Sequence, residues 1–135
     1  MTGFQLSPRL AADSIFLVDW PLCQVRLMDD ARFPWLILVP RRDGLEEWTE
    51  LSPEDQSVLS IEIARAGRGL AQRFSPRKLN VGALGNIVRQ MHVHVIARFE
   101  SDAAWPGPVW GQGVRAPYEE EPRERLTADL LRLFS

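Results

Sequence analysis

Apolar positions in this chain fall into several short runs and one long stripe. Ile15 to Val18 is an apolar run closed by Asp19-Trp20-Pro21. From Leu22 to Met28, Leu22, Gln24 and Arg26 alternate with Cys23, Val25 and Leu27. Only the second set is apolar throughout, so it is expected to face a core. Asp29-Asp30-Ala31-Arg32 reads as a turn. Trp35 to Val39 is continuously apolar and ends at Pro40. Such a run is too short for a helix and predicts a central strand buried on both faces. Three strands joined by short turns predict an antiparallel meander.

The period then changes. Ser52-Pro53-Glu54-Asp55 combines a capping hydroxyl, a proline in the first turn and acidic side chains at the positive end of the helix dipole. Leu59, Ile63, Ala66 and Leu70 follow at helical spacing, which predicts a helix over 53–74 with one stripe on the sheet. Gly67 and Gly69 weaken its last turns or permit close packing, and Ser75-Pro76 stops it. Residues 78–84 read as a fourth strand with an irregular, glycine-bearing end, and 91–98 as a fifth. Ser7-Pro8 predicts a short N-terminal helix and 121–134 a C-terminal one, with a Pro/Gly/Trp-rich loop over 104–111 between strand and helix. The expected fold is α+β: a five-stranded, mainly antiparallel sheet with one long packed helix and a C-terminal helix. A single domain over 1–135 is expected, with its core at about 15–100 and the loop and last helix at 101–135.

Composition narrows the partners more than the fold. The 135 residues suit one domain, and a net charge of −2 without a long basic run argues against nucleic acid as the main partner. No apolar stretch approaches the roughly 20 residues needed to span a bilayer, and no signal peptide is visible. Cys23 is the single cysteine, so it has no intramolecular disulfide partner. A cytoplasmic location is the expectation.

The candidate chemistry lies on the fifth strand. Gln90, His92 and His94 alternate there with Met91, Val93 and Val95, and the chain has no other histidines. The alternation predicts a half-buried strand with both imidazoles on one face, roughly 6.5–7 Å apart at the backbone. Three readings compete. The pair can be incidental polar residues on a solvated face. It can bind zinc if Asp29, Asp30 or Cys23 supplies a third ligand. Or one imidazole can attack phosphorus and hold it covalently, dividing one hard displacement into two easier ones. The loop Asn80-Val81-Gly82-Ala83-Leu84-Gly85-Asn86 before the strand suits the last reading, because glycines admit a phosphate to backbone N–H groups and amides donate to it.

Gln90-Met91-His92-Val93-His94-Val95-Ile96 resembles the signature of the histidine triad (HIT) family, His-φ-His-φ-His-φ-φ with φ apolar, at every position except the first. The Asn/Gly loop and the apolar strand ending in Pro40 also fit, although Trp35 stands where the family usually has a histidine. The resemblance spans about residues 15–100. It implies a hydrolase or transferase acting at the α-phosphate of a nucleotide derivative, commonly as a homodimer and with no required metal or cofactor. It implies His92 as nucleophile, His94 as a phosphate contact and Gln90 in the position that orients the nucleophile. Gln90 can donate and accept but cannot become a cation. Asn80, Asn86 and Gly85 correspond to the phosphate-side loop, and Asp29, with Asp30 beside it, to the ribose-binding position.

Two alternatives stay open: a nucleotide-binding module with little or no turnover, motivated by Gln90 and Trp35, and a metal-dependent enzyme using His92 and His94. Trp105 and Trp110 can lid a base, meet a neighbouring protomer or simply pack their loop. Cys23 is expected in the core. Arg41-Arg42 can steer phosphates, but a solvated strand end is the commoner role of such a pair.

Overall fold

The computed structural model describes residues 3–135. Its elements are α1 (Pro8–Asp13), β1 (Ser14–Asp19), β2 (Cys23–Met28), β3 (Trp35–Pro40), a 3₁₀ turn (Trp48–Glu50), α2 (Pro53–Phe74), β4 (Lys78–Gly82), β5 (Val93–Arg98) and α3 (Glu120–Phe134). The strands form one antiparallel sheet in the order β1-β2-β3-β5-β4. The meander β1-β2-β3 is as expected. α2 then carries the chain across to β4 on the edge, and β5 returns between β4 and β3.

The two faces of the sheet are covered differently. One bears Val25, Leu27, Leu36, Leu38, Val93 and Val95, packed under α2 and α3. α2 begins as its sequence predicts, with the Ser52 hydroxyl accepting from Asp55 N at 3.1 Å. Its buried stripe includes Leu59, Ala66 and Leu70. Gly69 is where the helices close on each other: a Cβ there would stand 2.2 Å from the Phe134 ring. Glu62, buried on α2, accepts from Leu22 N and Cys23 N at 2.9 and 2.8 Å and ties the helix to the start of β2. Cys23 is in the core as expected, and burial pushes its thiol pKa up.

The other face bears Trp35, Ile37, Val39, His94 and Ile96. Loops cover it. Leu10, Phe33 and Val109 are buried against it, with Phe4, Leu6 and Trp110 partly so. Arg98 fastens this roof, reaching Asp102 through Nε at 2.8 Å and Nη2 at 3.1 Å, and also Asn80 Oδ1 and the Gly107 carbonyl. The Asp102 carboxylate also accepts from the backbone N–H groups of Phe99, Ala104 and Trp105. Burial would raise its pKa, but Arg98 and these donors outweigh burial and hold it well below the usual carboxylate range.

Several boundaries differ from the sequence expectation. The ladder of β5 begins at Val93 rather than residue 91, because Met91 N is spent on the Leu45 carbonyl at 2.9 Å. β2 begins at Cys23 rather than Leu22. β4 stops at Gly82 rather than running to 84. The fifth strand is buried on both faces, not one, since the loops replace solvent over the histidine side.

Candidate active site

His92 lies just before the β5 ladder, and His94 lies within it, opposite Ile37 on β3 and Gly82 on β4. Their ring centroids are 4.9 Å apart at an interplanar angle of 69°. Both are nearly buried, 7% and 5% exposed, so neither sits on a solvated face.

Each ring has one nitrogen engaged, and the partners differ in kind. His92 Nδ1 is 2.6 Å from the Gln90 carbonyl oxygen. A carbonyl oxygen only accepts, so Nδ1 carries the proton, and the neutral ring has its lone pair on Nε2. His94 Nδ1 is 2.9 Å from Trp35 Nε1, an indole N–H that only donates. Trp35 and Trp110 both meet the His94 ring edge-on, at 5.6 and 5.3 Å between centroids. Burial, with the His92 imidazole as a lesser cause, lowers the His94 pKa to about 3, so this ring is neutral near pH 7.

His92 borders an open cleft of about 970 Å³ between the N-terminal half of α2 and the end of β4. Trp48, Gln56 and Ser60 line one side, Leu84 and Gly85 the other. Gly85 has φ +71°, a backbone conformation that glycine adopts without strain. Asn86 beside it is exposed. Trp110 lies over Gly82, where a Cβ would come 2.9 Å from its ring, and its indole N–H is buried without a partner among the described residues.

The other sequence-derived candidates are spread more widely. Gln90 orients His92 through its main-chain carbonyl, not its amide. The amide is occupied elsewhere: Oε1 accepts from Ser7 N at 2.7 Å and Nε2 donates to the Gln5 carbonyl at 2.8 Å. Asn80 shares the histidine face, but its side-chain oxygen is held by Arg98 at 2.7 Å. Asp29 follows β2 at the far end of the strands, on the order of 15 Å from the His92 end by strand rise. Its carboxylate accepts from Tyr118 N at 2.9 Å. Asp30 is buried and paired with Arg32 at 2.8 Å. Cys23 faces α2, on the opposite side of the sheet. Among the described residues, no group of three His, Cys, Asp or Glu side chains is arranged to hold a metal ion. The third ligand that the zinc alternative requires is therefore not assembled. The residues that sequence reasoning missed are Trp35 as a hydrogen-bond partner and Trp110 as a neighbour of His94. The one available signal was the indole at a position where histidine was expected.

A five-stranded antiparallel sheet with one long helix, and two adjacent imidazoles on the strand that follows a Gly/Asn loop, defines a histidine-motif α+β protein. The chain belongs to the histidine triad family, whose HIT-domain model matches residues 9–101. Among solved structures it is similar to a histidine triad protein of Sinorhizobium meliloti, with 48% identity, 98% of each chain covered and a TM-score of 0.94. It is also similar to one from Marinobacter aquaeolei, with 47% identity, 96% of this chain and 95% of that one covered and a TM-score of 0.94. A third, from Bradyrhizobium japonicum, has 41% identity, 98% of each chain covered and a TM-score of 0.95. No curated protein sequence matches the chain. Family membership suggests nucleotide binding and hydrolase or transferase activity. Among the described residues, no helix is long and apolar enough to cross a membrane.

Proposed function

We propose that the protein hydrolyses or transfers a nucleotide derivative at its α-phosphate through a nucleotidyl-histidine on His92 Nε2. The observation that carries this reading is the 2.6 Å contact between His92 Nδ1 and the Gln90 carbonyl. It fixes the ring and leaves the lone pair on Nε2 as the nucleophile, on a residue that borders an open cleft. In the first step Nε2 attacks phosphorus, a P–N bond forms, and the bond to the leaving group breaks with its electron pair on that group. In the second step water or another acceptor attacks phosphorus, and Nε2 recovers its lone pair. Gly85 lines the cleft, and with Asn86 next in the chain it is the candidate phosphate-side loop. The unpaired Trp110 indole N–H adds a donor near His94.

The test is a reaction with α-labelled nucleotide, quenched separately in acid and in mild base, followed by mapping of the labelled peptide. The expected adduct lies on the His92 peptide, is lost in acid and persists in base. Label on the Cys23 peptide, or label stable to acid, overturns the mechanism.

One observation favours a second reading, a nucleotide-binding module with little turnover. The Gln90 amide is committed to the N-terminal segment and carries no transferable proton, and His94 stays neutral. Neither then protonates a leaving group. Nucleotide-induced stabilisation without any adduct or product selects that reading.

A homodimer in the cytoplasm is part of the same proposal. β4 is an edge strand, and Val81, Leu84 and Ile87 beside it are about half exposed or more. Paired edges and covered apolar patches are the usual remedy for such a surface. Light scattering on the purified chain measures the assembly.

A further inference from the structure

We infer that Trp35 is a positioning residue: its indole N–H locks His94 as the neutral Nε2–H tautomer, making the third motif position a fixed hydrogen-bond donor to a phosphate oxygen rather than an acid or base. The identity of that oxygen rests on the proposed function; the tautomer does not.

The argument is geometric. Trp35 opens β3, pairs with Ile96 on β5 and lies on the same sheet face as His94. Its Nε1–H has no lone pair to offer, so at 2.9 Å the His94 Nδ1 must be the acceptor. The ring proton of a neutral imidazole then sits on Nε2. Cationic His94 would need a proton on Nδ1 as well, directed at the indole N–H that already occupies that position. Ile37 and Gly82 face it across the ladders and Trp110 meets its ring, and none of these is ionisable. The one titratable group acting on it is His92, which disfavours protonation of His94. The two motif histidines therefore have opposite tautomers. His92 presents a lone pair at Nε2 because a carbonyl holds its Nδ1. His94 presents an N–H at Nε2 because an indole holds its Nδ1. One histidine supplies the nucleophile and the other a donor for the charge that develops on phosphorus oxygens, with no proton exchange between them.

The test uses uniformly ¹⁵N-labelled full-length protein and long-range ¹H–¹⁵N correlation spectra between about pH 5 and 8, around the reference histidine pKa of about 6.5. The expected His94 signals are an acceptor-type Nδ1 and a protonated Nε2 across the whole range. A trans-hydrogen-bond ¹⁵N–¹⁵N coupling from Trp35 Nε1 to His94 Nδ1 is also expected. A protonated Nδ1, or titration of His94 within that range, overturns the inference. In Trp35→Phe the coupling disappears, both His94 tautomers become populated, and the single-turnover rate falls about tenfold. An unchanged rate with tautomers mixed overturns the role as a positioned donor. If Trp35→Phe fails to fold, the wild-type spectra alone decide the tautomer. If no nucleotide is turned over by the wild type, that failure belongs to the proposed reaction, and the same spectra still decide whether Trp35 sets His94.

Discussion

The two faces of the sheet are both closed to solvent, but by different means. On one, α2 and α3 bury aliphatic side chains whose spacing follows helix and strand periods. On the other, the N-terminal segment and the 99–110 loop cover the histidines, held by an Arg98–Asp102 pair, the Gln90 amide and individual aromatic rings. The helix face is stabilised by many interchangeable apolar contacts. The loop face depends on a few polar bonds that have no substitute. Change on the helix face should therefore cost stability and spare chemistry. Change on the loop face should alter chemistry or local order.

The sharpest break of this comparison is His92→Ala. Turnover should fall by about a thousandfold or more, since the proposed nucleophile is removed. The melting temperature should stay within a few degrees. Single-turnover assays and melting curves check both, and undiminished turnover removes His92 from its role.

Asp102→Asn comes next. It leaves the nearly buried Arg98 guanidinium without its counter-charge, a type of loss that costs about 3–5 kcal/mol. Chemical denaturation at pH 7 measures it. The dependence on pH has a definite sign. The Asp102 pKa is depressed on folding, so its contribution is present above the unfolded value and is lost as pH falls through the folded one. The Asn variant should lack that acid-side loss.

Gly69→Ala probes the helix face. The added methyl meets the Phe134 ring, and a loss of about 1–3 kcal/mol is expected, with turnover unchanged at temperatures below the transition. Loss of activity in the folded variant would show that the two faces are coupled.

The titration of His94 is an effect graded by pH. Its folded pKa of about 3 lies below the unfolded value of about 6.5. Between these values the unfolded chain binds one more proton, so stability falls as pH drops, by at most about 1.4 kcal/mol per pH unit. Denaturation curves of wild type and His94→Asn over this range should differ by that slope; parallel curves would mean that His94 does not carry it.

The smallest expected effect is that of Gln90→Ala. It removes both bonds to residues 5–7, for about 1–2 kcal/mol confined to that segment. Hydrogen exchange at the Ser7 amide should accelerate while the β5 amides hold. Uniform acceleration would mean that the amide supports the whole sheet.

By itself the sequence determined the strands, the long helix and its cap, and the helix-facing core, because these follow from periodicity, proline and hydroxyl positions acting within a few residues of one another. It also marked Gln90, His92 and His94 as the candidate site, because alternation on a strand is a local property. Only the tertiary structure decided which nitrogen of each imidazole is free. That depends on Trp35, 59 residues from His94 in sequence, and on a main-chain carbonyl that no side-chain pattern reports. Tertiary structure also turned Gln90's amide toward Gln5 and Ser7, paired Asn80 with Arg98, and set Asp29 at the far end of the sheet. Hydrophobic burial is additive and local enough to leave a period in the chain. A hydrogen bond between distant elements leaves none, since its donor and acceptor meet only after the sheet has brought them together.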